Sequence, residues 1–300
     1  MSQQSNRLFY QEDNFIERMI HLIIKCNKQI LEVYDEYRNE EQSNMVQYKK
    51  DDSPVTKADI LTNDIIMRDL NVINEELRMK WEKEHTESNI ESHPTTIGII
   101  SEEVKNEPYE ERSHYDYCWL VDPLDGTKEF IKKNGQFTTN IGLCYKGVPV
   151  FGIVSVPTSG DIYYGGEGLG SFKLNAKDVN NDSRVKGDYM AKLQVDENKD
   201  LNRKGVAVVA SASHMNEETK AFMKGLNDPR VVNVGSSIKL LWVAKGKADV
   251  YPRVAPTCEW DTCAAHAVVK YAGGKVLNFH TGQELSYNKE NILNPYFIVS

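Results

Sequence analysis

Nowhere in these 300 residues do two cysteines stand in C-x-x-C spacing, and the five present, Cys26, Cys118, Cys144, Cys258 and Cys263, are odd in number. A disulfide framework or a cysteine zinc site is therefore excluded as the organising device, and reduced cytosolic thiols are expected. Basic residues are outnumbered: 36 Lys and Arg face 44 Asp and Glu, a net charge of −8. Bulk nucleic-acid affinity needs a basic surface, so that class is set aside. An anionic substrate would need local lysines, arginines or bound cations to overcome the field. Long apolar runs are missing too. The strongest near the start, Met19 to Ile24, is interrupted by His21 and is far too short to span a bilayer. The opening Met-Ser-Gln-Gln-Ser-Asn has no apolar signal core. The expectation is a cytoplasmic protein without membrane or nucleic-acid partners, in which Asn181-Asp182-Ser183 matches the glycosylation pattern by chance. Internal repeats and low-complexity tracts are also absent.

What is present is ordinary for a globular chain, with 40% hydrophobic and 27% charged residues. Ile16, Met19, Ile20, Ile23, Ile30, Tyr34 and Tyr37 recur near every 3.6 residues and predict a helix over 12–38. Val46 to Lys50 predicts a short strand. Thr56, with Asp59 three residues on, reads as the capped start of a second helix running through Ile73. From Trp81 to His93 no element stands out. Strands are expected at Thr96 to Ile100 and Tyr117 to Val121. Phe137 to Tyr145 and Val148 to Val156 should form a hairpin about Lys146-Gly147, with further strands at Ile162 to Tyr164 and Ser171 to Leu174. That is a meander of antiparallel strands.

A polar stretch over 175–205 suggests a boundary, and beyond it the pattern changes to alternation. Strands are expected at Val206 to Ala210, Val231 to Val234, Ala248 to Tyr251, Lys275 to Phe279 and Phe297 to Val299. Helices are expected at Glu217 to Leu226, Ser237 to Lys245 and Asp261 to Tyr271. The sequence thus predicts an α+β half over 1–175 and an α/β half over 176–300.

The segment Trp119-Leu-Val-Asp-Pro-Leu-Asp-Gly-Thr127 ends a buried strand with Asp122, Asp125 and Thr127 in a tight turn closed by Pro123 and Gly126. Like charges at ~4 Å repel by about 4 kcal/mol at an effective dielectric of 20. A fold tolerates this when a cation sits between them or one holds a proton. Glu102, Glu103 and Asp261 also fall at element ends, and Asp59 at a helix start. Singly, each has a plain explanation as a turn residue, helix cap or solvated edge. Together with the Asp122 turn they suit a hard cation such as magnesium. Two such ions would bridge a phosphate and favour hydrolysis, with the Leu124 carbonyl pointed inward and a Thr127–Asp59 dyad drawing off the proton of the attacking water. Ser213-His214 follows a strand, Gly235-Ser236-Ser237 opens a helix with Lys239 in its first turn, and Arg253 ends a strand. Amides, lysine and arginine so placed make an anion site, although caps explain the serines and His214 equally well.

Glu102-Glu103, the Asp122-to-Thr127 hexapeptide and Trp260-Asp261 together resemble the signatures of the lithium-sensitive, magnesium-dependent phosphatases. That superfamily contains inositol monophosphatases, inositol polyphosphate 1-phosphatases, fructose-1,6-bisphosphatases and 3′(2′),5′-bisphosphate nucleotidases. Likeness to the bacterial bisphosphate nucleotidases rests on Asp52-Ser-Pro-Val-Thr-Lys-Ala-Asp59, Lys128-Glu-Phe-Ile131, Gly235-Ser-Ser-Ile-Lys239 and Tyr251-Pro-Arg253. The resemblance implies a five-layer αβαβα sandwich, with metal binding in the first half and substrate recognition in the second. It implies that Glu102, Asp122, the Leu124 carbonyl, Asp125 and Asp261 hold two or three magnesium ions, with Asp59 near the third. Water activation would fall to Glu103 and the Asp59–Thr127 pair. Gly126, Thr127, Ser213, His214, Gly235, Ser236, Ser237, Lys239, Arg253 and Asp261 would surround the substrate. The implied reaction removes the 3′-phosphate of adenosine 3′,5′-bisphosphate, with 3′-phosphoadenylyl sulfate as a second substrate and lithium as an inhibitor. The implied enzyme is a monomer acting on a small nucleotide. An inositol phosphatase using the same cluster and a non-catalytic phospho-ligand sensor are the alternatives. Residues 175–205 follow no pattern of the family, the first helix resembles it only in position, and Cys258 and Glu259 are assigned no role.

Overall fold

The computed structural model of the chain describes residues 8–37, 46–49, 54–85, 96–179, 190–196, 199–210 and 217–300. Helix α1, Asp13–Glu36, buries Met19, Ile20, Ile23 and Ile30 completely, as its apolar stripe requires. Strands β1, Val46–Tyr48, and β2, Pro54–Thr56, pair antiparallel and lead into α2, Lys57–His85. Helix α2 outruns the sequence expectation by about three turns, because Leu77 and Trp81 continue its apolar contact with the core under α1.

Seven strands in chain order make the main sheet: β3 Ile97–Ser101, β4 Tyr117–Asp125, β5 Thr138–Tyr145, β6 Val148–Val156, β7 Asp161–Gly166, β8 Gly170–Asn175 and β9 Ala191–Leu193. The β3–β4 pair is parallel, connected through the short helix α3, Tyr109–Arg112. The remaining pairs are antiparallel. Lys146 and Gly147 both have positive φ, 47° and 82°, which a two-residue turn between twisted strands demands.

Strand β4 does not stop at Val121. Asp122 still pairs with Asn140 and Asp125 with Thr138, across an irregularity that removes Pro123 and Leu124 from the ladder. Proline has no N–H to give, so the bulge is where it fits. The turn itself falls one residue later, at Gly126 (φ 95°), and opens the helix α4, Thr127–Ile131.

Beyond the main sheet, β10 Ala207–Ala210 and β11 Arg230–Asn233 are parallel, with α5, Glu217–Lys224, between them. Helix α6, Ile238–Ala244, precedes β12, Tyr251–Arg253, and α7, Cys263–Tyr271, precedes β13, Val276–Asn278. Strand β14, Phe297–Val299, lies between β12 and β13. The strand expected over Ala248 to Tyr251 is displaced toward Arg253, because the Asp249 and Val250 amides both donate to Ala207 O. Val250 thereby bridges Val208 and ties β10 to the C-terminal strands.

The layers follow from these contacts. Helices α1 and α2 cover one face of the main sheet, while α7, beside α6, covers the other. The C-terminal strands pack outside α6 and α7, and α5 lies against β12. The order is αβαβα. One core fills the space between the main sheet, α6, α7 and the C-terminal strands; another lies beneath α1 and α2. All five cysteines are free thiols. No helix among the described residues is long and apolar enough to cross a membrane.

Candidate active site

The main sheet and the helices packed on it deliver carboxylates to one place. Glu102 and Glu103 follow the end of β3, Asp122 and Asp125 ride the bulged end of β4, Asp59 sits in the first turn of α2, and Asp261 precedes α7. Carboxylate oxygens of Glu102, Asp122 and Asp261 lie within 4.8 Å of one another, Asp122 being fully buried. Burial, then the charges of Glu102, Asp125 and Asp261, holds the Asp122 carboxyl well above the usual range. Asp261 is pushed up to about 8 by burial and by Asp125 and Glu102. Glu102 is raised by burial despite the attraction of Lys49. Such a set is stable only with protons or a cation among its oxygens. Oxygen-only donors at this spacing fit a hard divalent ion such as magnesium.

The supporting bonds orient each member. Asp122 accepts from the Leu124 amide at 2.9 Å, and Asp261 from the Cys258 amide at 2.8 Å. Asp125 accepts from Ser237 N at 2.6 Å, Ser236 Oγ at 2.7 Å and Thr138 Oγ1 at 3.4 Å. These bonds place it at the seam between β4 and the start of α6. Asp59 is 1% exposed, and burial raises its carboxyl to about 7 against the pull of two Thr56 bonds. Oδ2 accepts from the Thr56 amide and hydroxyl, while Oδ1 accepts from Thr127 Oγ1 at 3.1 Å. The helix cap and the hydroxyl–carboxylate dyad, weighed as rivals from the sequence, are thus one arrangement. The Leu124 carbonyl lies 3.4 Å from the same hydroxyl.

Beside this cluster opens a cavity of about 150 Å³ whose walls include Asp125, Glu129, Lys239, Tyr251, Arg253 and Asp261. Gly126, Gly235, Ser236 and Ser237 line it too. Lys239 is 7% exposed, and burial lowers its ammonium to about 8, with Asp125 opposing and Arg253 adding to the fall. Arg253 donates to Ala255 O and Pro256 O, which fixes its guanidinium at the cavity edge. One expectation needs correction. The amides at the start of α6 are not a free anion cradle, since Gly235 N donates to Gln136 Oε1 and Ser237 N to Asp125. Ser213 and His214 lie outside the described residues.

Sequence reasoning passed over several neighbours. Lys49 donates to Glu102 at 2.9 Å and to Glu103 at 2.7 Å. Burial lowers its ammonium, but the two carboxylates outweigh that and raise it. Thr138 and Asn140 hold Ser237 from β5. Tyr251 and Glu129 stood inside motifs already quoted but received no role. A lysine ten residues before Asp59 carries no pattern of its own, so only the folded β1–β2 hairpin reveals it.

Comparison with known proteins agrees along nearly the whole chain. A family profile described as "Inositol monophosphatase family" matches residues 12–296. The 3′(2′),5′-bisphosphate nucleotidase CysQ of Salmonella typhimurium is 35% identical over 286 residues, covering 95% of this chain and 99% of that protein. CysQ of Escherichia coli K12 is 34% identical over 287 residues, with the same coverage. The crystal structure of CysQ from Bacteroides thetaiotaomicron, itself described as a bacterial member of the inositol monophosphatase family, superposes with a TM-score of 0.76 at 35% identity, covering 98% of each chain. By sequence, by architecture and by the length over which both agree, the chain belongs to the inositol monophosphatase family.

Proposed function

We propose that the chain is a magnesium-dependent phosphatase that removes the 3′-phosphate of adenosine 3′,5′-bisphosphate, yielding AMP and phosphate, and that it also accepts 3′-phosphoadenylyl sulfate. The observation that carries the reading is the Glu102, Asp122 and Asp261 cluster opening onto a cavity walled by Lys239 and Arg253, in a chain 35% identical to CysQ nucleotidases. Glu102, Asp122, the Leu124 carbonyl, Asp125 and Asp261 would hold the magnesium, in two or three ions with Asp59 near the third. Bound there, magnesium supplies Lewis acidity toward the phosphoryl oxygens and the leaving oxygen.

The chain's own residues do the rest. Thr127 Oγ1 donates its proton to Asp59, which leaves its lone pairs to accept from the attacking water. As the water's proton passes to Thr127, the hydroxyl proton passes to Asp59, whose carboxyl is poised near neutrality. Glu103, beside Glu102, assists in orienting the water. Lys239 and Arg253 bind the phosphate that is not cleaved. Lithium should inhibit by taking a magnesium position. The enzyme is expected to act as a monomer in the cytoplasm.

An inositol phosphatase would use the same cluster with a different cavity lining. Phosphate release from adenosine 3′,5′-bisphosphate, with and without magnesium and beside inositol 1,4-bisphosphate, separates the two. Fast magnesium-dependent release from the nucleotide is the expected result. A preference for the inositol substrate would overturn the pocket assignment and keep the metal chemistry. Tight nucleotide binding without turnover would mark a sensor.

A further inference from the structure

One carboxylate in the substrate cavity has no task in the metal cluster. Glu129 is the third residue of α4, half-buried in the wall that also holds Lys239 and Arg253. Its stem lies on Gly235, where an added Cβ would come 2.9 Å from Glu129 Cγ. Nearby donors are turned to other acceptors: Gly235 N to Gln136, Ser236 Oγ and Ser237 N to Asp125, and Arg253 Nε and Nη2 to Ala255 O and Pro256 O. Lys239 feels the charge of Glu129 without bonding to it. No described residue hydrogen-bonds the Glu129 carboxylate or forms an ion pair with it. A half-buried acceptor without a donor among the described residues is left for water or a ligand. A phosphate, which offers acceptors and negative charge, is repelled there. An O–H or N–H group fits.

We propose that Glu129 determines specificity by accepting a hydrogen bond from an uncharged donor on the nucleoside part of the substrate, either a sugar hydroxyl or the exocyclic amine of the base. The inference rests on the nucleotidase reading. Within it, the cavity divides its labour: Lys239 and Arg253 favour the second phosphate, and Glu129 selects what must not be phosphorylated.

The test compares kcat/KM on adenosine 3′,5′-bisphosphate, its 2′-deoxy counterpart and its inosine counterpart, in magnesium. Wild type, Glu129→Ala and Glu129→Gln are each measured. Wild type should favour the parent nucleotide over one analogue by about tenfold to a hundredfold, the usual weight of a hydrogen bond to a charged acceptor. Glu129→Ala should bring that ratio to about one, and Glu129→Gln, whose amide oxygen accepts without charge, should keep part of it. Loss confined to the deoxy arm assigns the sugar hydroxyl; loss confined to the inosine arm assigns the amine. Wild-type indifference to both analogues, or wild-type ratios kept in both variants, overturns the proposal while leaving the nucleotidase intact. Absence of magnesium-dependent release from every nucleotide defeats the nucleotidase reading, and the inference falls with it. Should the alanine variant fail to fold, the glutamine variant decides: a ratio below wild type supports the proposal, and the full wild-type ratio overturns it.

Discussion

Asp59 divides its two oxygens between two partners: Oδ2 caps α2 through Thr56, and Oδ1 holds the Thr127 hydroxyl. Burial raises its carboxyl to about 7, and Asp261 to about 8, above the ~3.9 of an unfolded chain. A group raised in this way keeps its proton in the folded state while the unfolded state has already released it. Stability therefore falls as pH rises from about 4 through about 8. In chelator, the melting temperature should be higher near about pH 5 than near about pH 7.5, and magnesium should narrow the gap; an unchanged or opposite trend in thermal melts would refute the assignment. Asp122→Asn should lower turnover by roughly 10²–10³-fold or more with the circular dichroism spectrum retained, the scale of losing one electrostatic stabiliser of the transition state. Turnover near wild type in that variant would remove Asp122 from the site. Arg253→Ala should cost about tenfold or more in kcat/KM on the bisphosphate and less on a monophosphate, as expected for a charged hydrogen bond made only to the second phosphate. Equal loss on both would detach Arg253 from that phosphate.

Between elements, α7 packs closely against β5 and β6. Gly142 and Gly152 face each other across the ladder, and the α7 backbone rests on them. A Cβ on Gly152 would lie 2.2 Å from Ala264 O, and one on Gly142 would lie 2.7 Å from Ala264 N. Because both obstacles are backbone, α7 would have to lift, carrying the preceding Asp261 away from Asp122. Gly152→Ala should then destabilise by about 1–3 kcal/mol or more, the range for overpacking, and should weaken magnesium binding as well. Urea unfolding and calorimetric titration check both, and a variant with wild-type values in each would show that the joint has slack. That contact was not legible in the chain, where two glycines in apolar strands look alike whether they meet solvent or a helix. Hairpin β5–β6, by contrast, was plain from Lys146-Gly147 between two β-branched runs, and so was the cap at Thr56, because local rules govern both. The Asp122 segment was legible as a carboxylate source but not in shape. Its turn belongs at Gly126, and a bulge around Pro123 does the bending, which only pairing with β5 could decide. Lys49 escaped notice for the same reason: its partners lie more than fifty residues away in sequence.

At the scale of the molecule, two styles of sequence meet near residue 175, a meander before and an alternation after. The core between the main sheet, α6 and α7 does not respect that line as a boundary. Ile100, Leu120 and Val154 from the main sheet share one apolar cluster with Leu241, Val268 and Phe297 from the later elements. The site is composite in the same way, with Asp122 and Asp125 from one side and Lys239, Arg253 and Asp261 from the other. A core that crosses the seam makes partial unfolding costly, since releasing the C-terminal elements would strip the main sheet of its cover, α7 beside α6. Unfolding is therefore expected as one cooperative transition, although chains of this length commonly show more than one. Calorimetric and van't Hoff enthalpies should agree, and far-ultraviolet circular dichroism should coincide with tryptophan fluorescence, because Trp119 reports the main sheet while Trp242 and Trp260 report the other side. Magnesium and AMP together should shift that transition as a unit, by about 2.7 kcal/mol at a hundredfold excess over the dissociation constant. Two resolved transitions, only one of them moved by ligand, would mean that the halves fold separately and that the cavity forms by docking rather than by folding.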